Sequence, residues 1–138
     1  MANAFYDKGR QNFLEGDIDY LLDNIKVISI DEADDVPILT TDEFLDPDVL
    51  AAAREFTSGN LAGKTATDGV ADASDLIPAF TGATGDQFES ITLYFDTGTP
   101  TTSLLMVNID TATGLPLTPD GGNIDITWSS GANRIFKL

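Results

Sequence analysis

The chain has 138 residues, 42% of them hydrophobic and 22% charged, which suits one domain around a single core and excludes disorder throughout. Acidic residues number 23 against 7 basic ones, and the net charge of −16 excludes a general role at nucleic-acid phosphates or anionic lipid surfaces. With no cysteine and no histidine, disulfide frameworks, thiolate metal sites, cysteine nucleophiles, Ser–His pairs and the commonest zinc ligand are excluded as well.

Met1 to Arg10 carries Asp7, Lys8 and Arg10 and lacks the apolar core of a secretory signal. The longest aliphatic run, Leu104-Leu105-Met106-Val107, is far short of a membrane span, so a soluble chain made in the cytoplasm is expected. Phe5, Tyr6, Phe13 and Leu14 recur at roughly helical spacing, and the pattern predicts a helix from Ala4 to Glu15 that Gly16 stops and Gly9 weakens. Ile18, Tyr20, Leu21 and Leu22 then lead into a first strand, Ile25 to Ile30, whose β-branched residues partly alternate. Asp31, Glu32, Asp34 and Asp35 read as an exposed loop. Thr41 to Leu45 reads as a short helix with Thr41 as N-cap, limited by Asp46-Pro47.

Leu50 to Phe56, with three alanines, suits a helix by propensity, although strand remains an equal reading over 50–70. Asp68-Gly69 predicts a hairpin joining 64–67 to 70–73. Beyond it the chain reads as β. Phe88 to Phe95 forms one strand, and Ser103 to Ile109 forms another with Leu105, Val107 and Ile109 on one face. Ile124, Ile126 and Trp128 alternate with polar residues, and a short strand from Asn133 to Leu138 ends the chain. Turn signals every ten or so residues predict a mainly β fold, an antiparallel sandwich of jelly-roll type. One domain, 1–138, is expected, with a helical arm over 1–24 and the sandwich over 25–138.

Few residues invite a chemical reading. The 31–35 carboxylates lack the glycine and the bidentate glutamate of an EF-hand, and Asp110, Asp120 and Asp125 lie near turns where they could converge. Solvated loop charge is the simpler account of both, with a loop calcium ion left open and no other cofactor or metal expected. No carboxylate pair stands out for glycoside hydrolysis, and Trp128, on an alternating face with Ile124 and Ile126, reads as core rather than as a sugar platform. Gly59 to Thr65 is one residue short of a phosphate loop. Among the scarce cations, Arg10, Arg54 and Arg134 are the candidate interface contacts, since arginine is a frequent interface anchor.

Several segments carry a resemblance. They are Leu61-Ala62-Gly63-Lys64-Thr65, Thr67-Asp68-Gly69-Val70, Gly85-Asp86-Gln87, Tyr94-Phe95-Asp96-Thr97-Gly98-Thr99, Asn108 to Pro116, and Trp128 before the closing run Gly131 to Leu138. Together with the opening Ala4-Phe5-Tyr6 to Phe13-Leu14-Glu15-Gly16, the string resembles small structural proteins of tailed bacteriophages, some of them similar to capsid cement or decoration proteins. The match covers most of the chain, is weakest over 31–56, and carries no catalytic residue.

The resemblance implies a non-enzymatic virion protein on the capsid exterior, with the major capsid protein as partner and a symmetric homo-oligomer, a trimer, as its form. It also implies no nucleic-acid or membrane partner. On that reading the stripe Phe5, Tyr6, Phe13 and Leu14 either anchors the helix to the shell or a sister subunit, or caps its own sandwich. A tail, neck or fibre component is the alternative, and a carbohydrate-binding sandwich module is a third reading.

Overall fold

The computed structural model describes residues 3–138. The hydrophobic alternation predicted for the central strands forms the middle of a five-stranded sheet. Strand β1 is Ala4–Phe5, helix α1 Asp7–Glu15, β2 Ile25–Ile30, the single helical turn α2 Leu45–Asp48, and β3 Arg54–Thr57. Strands β4 (Val70–Ala71), β5 (Leu76–Phe80), β6 (Ser90–Phe95), β7 (Leu104–Ile109), β8 (Ile124–Ile126) and β9 (Phe136–Lys137) complete the order. The sheet runs β1-β7-β6-β2-β3 with antiparallel neighbours, and β2 and β6 pair from Ile25↔Phe95 to Ile30↔Ser90. The ribbons β4–β9 and β5–β8 form the opposing layer, so the fold is mainly β, antiparallel and sandwich-like.

Both sheet faces are buried. Ile25, Val27, Ile91, Leu93, Met106 and Val107 face the ribbons, where Phe80, Phe88 and Phe136 meet them. Ile28, Ile30, Tyr94 and Leu105 face the other way, against Tyr6, Leu45, Val49 and Ala53. Strict alternation would have put Leu105 with Val107. A bulge intervenes, because Leu93 pairs Val107 while Tyr94 pairs Leu105, so Met106 is the extra residue. Met106 and Val107 therefore share one face and Leu105 takes the other, which corrects the single-face expectation.

The outer edge of β7 is closed by the chain itself. Ala4 and Phe5 pair with Asn108 and Val107, the Tyr6 N–H donates to the Met106 carbonyl, and Phe44 bridges Leu104. Covering this edge removes a template for unwanted pairing. It also explains why the helix begins at Asp7 rather than Ala4: the first two residues of the expected helix are drawn into the sheet. Gly16, at φ 85°, ends it as expected.

Further expectations are changed or decided by the structure. The helix expected from Thr41 to Leu45 gives way to the α2 turn, whose Asp46 is extended (φ −128°, ψ 128°), and Thr41 caps nothing; Asp48 accepts the Glu43 and Phe44 N–H groups at 2.8 Å. Over Leu50 to Phe56, where helix and strand stood equal, Ala51–Ala53 makes one 3₁₀ turn before β3 pairs with β2. Ladder bonds and the fully buried Ala53 outweigh the small intrinsic preference of alanine for helix. Asp68 and Gly69 turn in the left-handed region as the hairpin reading requires, and Thr65 bridges Asp72, but β4 then pairs with β9. Two strands are shorter than expected: β6, Ser90–Phe95, follows an isolated Phe88↔Leu117 bridge, and only Phe136–Lys137 of the last run is strand.

Candidate interaction surface

Two aromatic groups build the interior beneath the surface of interest. Phe136, 8% exposed on β9, lies 4.9 Å from the Phe5 ring, 6.1 Å from Phe13 and 5.6 Å from Tyr20, between centroids. These edge-to-face and tilted contacts fasten α1 and the segment after it to the C-terminal ribbon. Phe56, Phe80 and Phe88 form a second trio elsewhere in the same core.

The segment after α1 is a turn held by its own carboxylates. Asp19 Oδ1 accepts the N–H groups of Leu21 and Leu22 at 3.0 and 3.1 Å, and the Asp19 N–H donates to Asp23 Oδ2 at 2.7 Å. Tyr20 points inward and donates its hydroxyl to the Asp72 carbonyl at 2.9 Å. Burial, reinforced by the Asp72 charge, pushes the Tyr20 phenol well above its ordinary pKa. With Tyr20 inside, its two neighbours turn out: Leu21 is 50% exposed and Leu22 83%.

A groove of about 350 Å³ opens beside this turn, walled by Phe13, Ile18, Leu21, Ala71, Phe136 and Leu138. Leu138, on its wall, is 59% exposed, and Leu14, on the last turn of α1, is 87% exposed. Exposed Asp17, Asp19 and Asp68 stand in or next to the residues that line it. Two lysines lie nearby: Lys64 Nζ donates to the Asp23 carbonyl and sits 5.8 Å from the Tyr20 ring centre, and exposed Lys137 lies between the wall residues Phe136 and Leu138.

The stripe Phe5, Tyr6, Phe13 and Leu14 is thus divided by the fold. Phe5 and Phe13 pack on Phe136; Tyr6 is fully buried and hydrogen-bonded to Thr92 at 3.0 Å; Leu14 faces outward. Arg10 pairs with Asp7 at 3.2 Å and lies over the Phe5 ring, Arg54 pairs with Asp46 at 3.6 Å, and Arg134 pairs with Asp72 at 3.8 Å. The three arginines engage three different carboxylates, Arg10 from α1, Arg54 from β3 and Arg134 from the loop before β9. Sequence reasoning passed over Leu21, Leu22 and Leu138. Their signal is a leucine pair set among Asp17, Asp19 and Asp23, apolar residues where solvation favours polar ones.

No protein-family model matches the chain, and no curated protein matches it.

A second feature lies in the acidic region. Asp31, Asp34 and Glu55 bring one carboxylate oxygen each to within 4.8 Å of one another, a donor set of the kind that holds a hard cation such as calcium. Asp31 is only 4% exposed, so the expected exposed loop has a buried first residue. Its Oδ1 accepts the Ala33 N–H at 2.8 Å. Asp110, Asp120 and Asp125 form no such group among the described residues. Partial burial and then the carboxylates of Asp86, Asp31 and Asp34 hold Glu55 above its ordinary pKa. Asp42 is raised too, by burial first and then by Asp48 and Asp35.

The sign of the pH dependence follows. Groups with raised folded pKa values bind protons more readily in the folded chain, so stability rises as pH falls through those values toward the unfolded ones. Asp96, lowered chiefly by its hydrogen bond with Lys26, acts oppositely, and its contribution is lost in stronger acid as pH falls through its folded pKa. The melting temperature is expected to rise on acidification from neutrality toward the ordinary carboxylate range and to fall once pH drops below about 3.8, the ordinary value of Asp96. Glu55→Gln should raise it at neutral pH, by about 2 °C for relief on the order of 0.5 kcal/mol, and flatten the acid rise. Calorimetry of both proteins across this range checks the expectation, and an unchanged profile would remove Glu55 as a contributor.

Proposed function

We propose that this chain is a non-enzymatic structural protein of a virion, binding the outer capsid surface as a cement or decoration protein and stabilising the shell. The observation that carries this reading is the apolar groove with its outward leucines, fixed on a two-faced core in a molecule of net charge −16. Exposed leucines cost solubility, and a contiguous apolar surface on an otherwise acidic chain suits a partner. The string resemblance to phage structural proteins supports the same reading and supplies its context.

The physical role would be to bury apolar area across neighbouring capsid subunits, at about 25 cal/mol per Å² before association costs, and so to oppose shell expansion. The major capsid protein is the proposed partner, and a trimer at local three-fold positions the proposed form. The acidic surface disfavours nucleic-acid and anionic membrane partners. Among the described residues, no helix is long and apolar enough to cross a membrane.

Quantitative mass spectrometry of purified virions, separated into heads and tails, tests the proposal. The expected result is a copy number that scales with the capsid subunits and travels with heads. Copies confined to tails would transfer the chain to the neck, tail or fibre. Absence from both would overturn the virion reading, and glycan binding would then be tested.

A further inference from the structure

We infer that the groove between the end of α1, the Asp17–Asp23 turn and the β4–β9 ribbon receives an extended segment of the shell protein, one that carries a large apolar side chain flanked by lysine or arginine. The inference rests on the cement reading and names the surface and partner chemistry it requires. The groove walls are apolar, from Phe13 and Ile18 through Phe136 to Leu138. Its volume of about 350 Å³ accommodates one or two large side chains of a bound segment.

Charge chooses the occupant. Asp19 lines the groove and exposed Asp17 and Asp68 adjoin lining residues in sequence, against one exposed lysine, Lys137, in the same relation; Lys64 already donates to the Asp23 carbonyl. A second copy of this chain, itself at −16, would bring carboxylates against carboxylates. A basic segment would neutralise them and be drawn in by the same field. The wall is also prepared in advance. The hydrogen bonds of Asp19 and Asp23 hold the turn, so the backbone that presents Leu21 needs little ordering when a partner arrives.

The test uses purified heads depleted of this protein, full-length wild-type chain, and the variants Leu21→Asp, Leu138→Asp and Asp17→Asn/Asp68→Asn. Both leucines are at least half exposed, so the variants should keep the wild-type melting temperature. Leu21→Asp and Leu138→Asp should each weaken binding to heads by about tenfold or more. Asp17→Asn/Asp68→Asn should slow association and flatten its salt dependence.

Wild-type binding that all variants reproduce would overturn the groove inference and leave the cement reading standing. Failure of the wild type itself to bind heads would overturn the cement reading. The groove would then be judged with Lys-Leu-Lys-Phe-Lys and Glu-Leu-Glu-Phe-Glu peptides, following the Leu21 and Leu138 methyl resonances. Selective shifts with the basic peptide support the inferred chemistry, and none, or equal shifts with both, overturns it. A wild-type dimer that Leu21→Asp dissociates would overturn the choice of partner in favour of self-association.

Discussion

Gly9→Ala is expected to lower the melting temperature by about 10 °C, a loss of about 3 kcal/mol at the upper end of overpacking costs. The ordinary effect has the opposite sign, since alanine in place of glycine inside a helix stabilises by about 1 kcal/mol. The reversal comes from where α1 sits. A Cβ built on Gly9 would lie 2.8 Å from the carbonyl oxygens of Leu105 and Met106 and 3.1 Å from the Met106 Cα. These are backbone atoms of β7 and cannot rotate away, so the helix would have to lift from the sheet edge it covers. Gly16→Ala is the control. Its Cβ would meet nothing within 4 Å, and only its φ of +85° opposes substitution, at a cost of about 1 kcal/mol. Thermal unfolding of the two variants decides the matter. A Gly9→Ala protein as stable as wild type would mean that the helix does not rest on β7 in solution.

Phe136→Ala should cost about 3–5 kcal/mol, the usual range for removing a buried phenylalanine, and its effect should reach the opposite end of the chain. The ring is the shared contact of Phe5, Phe13 and Tyr20, so its loss leaves a cavity lined by the N-terminal arm. Urea unfolding measures the loss, and limited proteolysis should show cleavage within residues 3–24 that the wild type resists. Phe136→Leu should recover much of the stability by refilling the space. Stability lost without new N-terminal cleavage would show that the arm is held by β1 pairing and the Gly9 seat alone. The residue also forms a wall of the groove, so Phe136→Leu offers a folded protein with an altered floor.

These expectations mark where local pattern and tertiary structure part. The strand Ile25–Ile30 and the alternation Ile91, Leu93, Phe95 were legible because adjacent burial on a pleated sheet imprints a period of two. The stop at Gly16 and the turn at Asp68-Gly69 were legible because both need left-handed backbone. The strand Ala4–Phe5 was hidden: its partners, Asn108 and Val107, lie more than a hundred residues away, and its own residues continue a helical pattern. At β3 the local pattern left helix and strand equally open, since three alanines speak for helix, and pairing with the edge of β2 decided for strand. The bulge at Met106 inverted one face of β7, a change that spacing alone does not register.

The candidate surface was legible only in part. The sequence determined by itself a mainly β, highly acidic chain without histidine or cysteine, and an aromatic stripe at its start, because composition and short-range periodicity follow from local chemistry. Only the tertiary structure decided that Phe5, Tyr6 and Phe13 turn inward while Leu14, Leu21 and Leu138 stay out, and that Leu21 and Leu138 line one groove. Apolar residues look alike in a sequence; which of them are covered depends on the distant elements that fold against them, here β7 and β9.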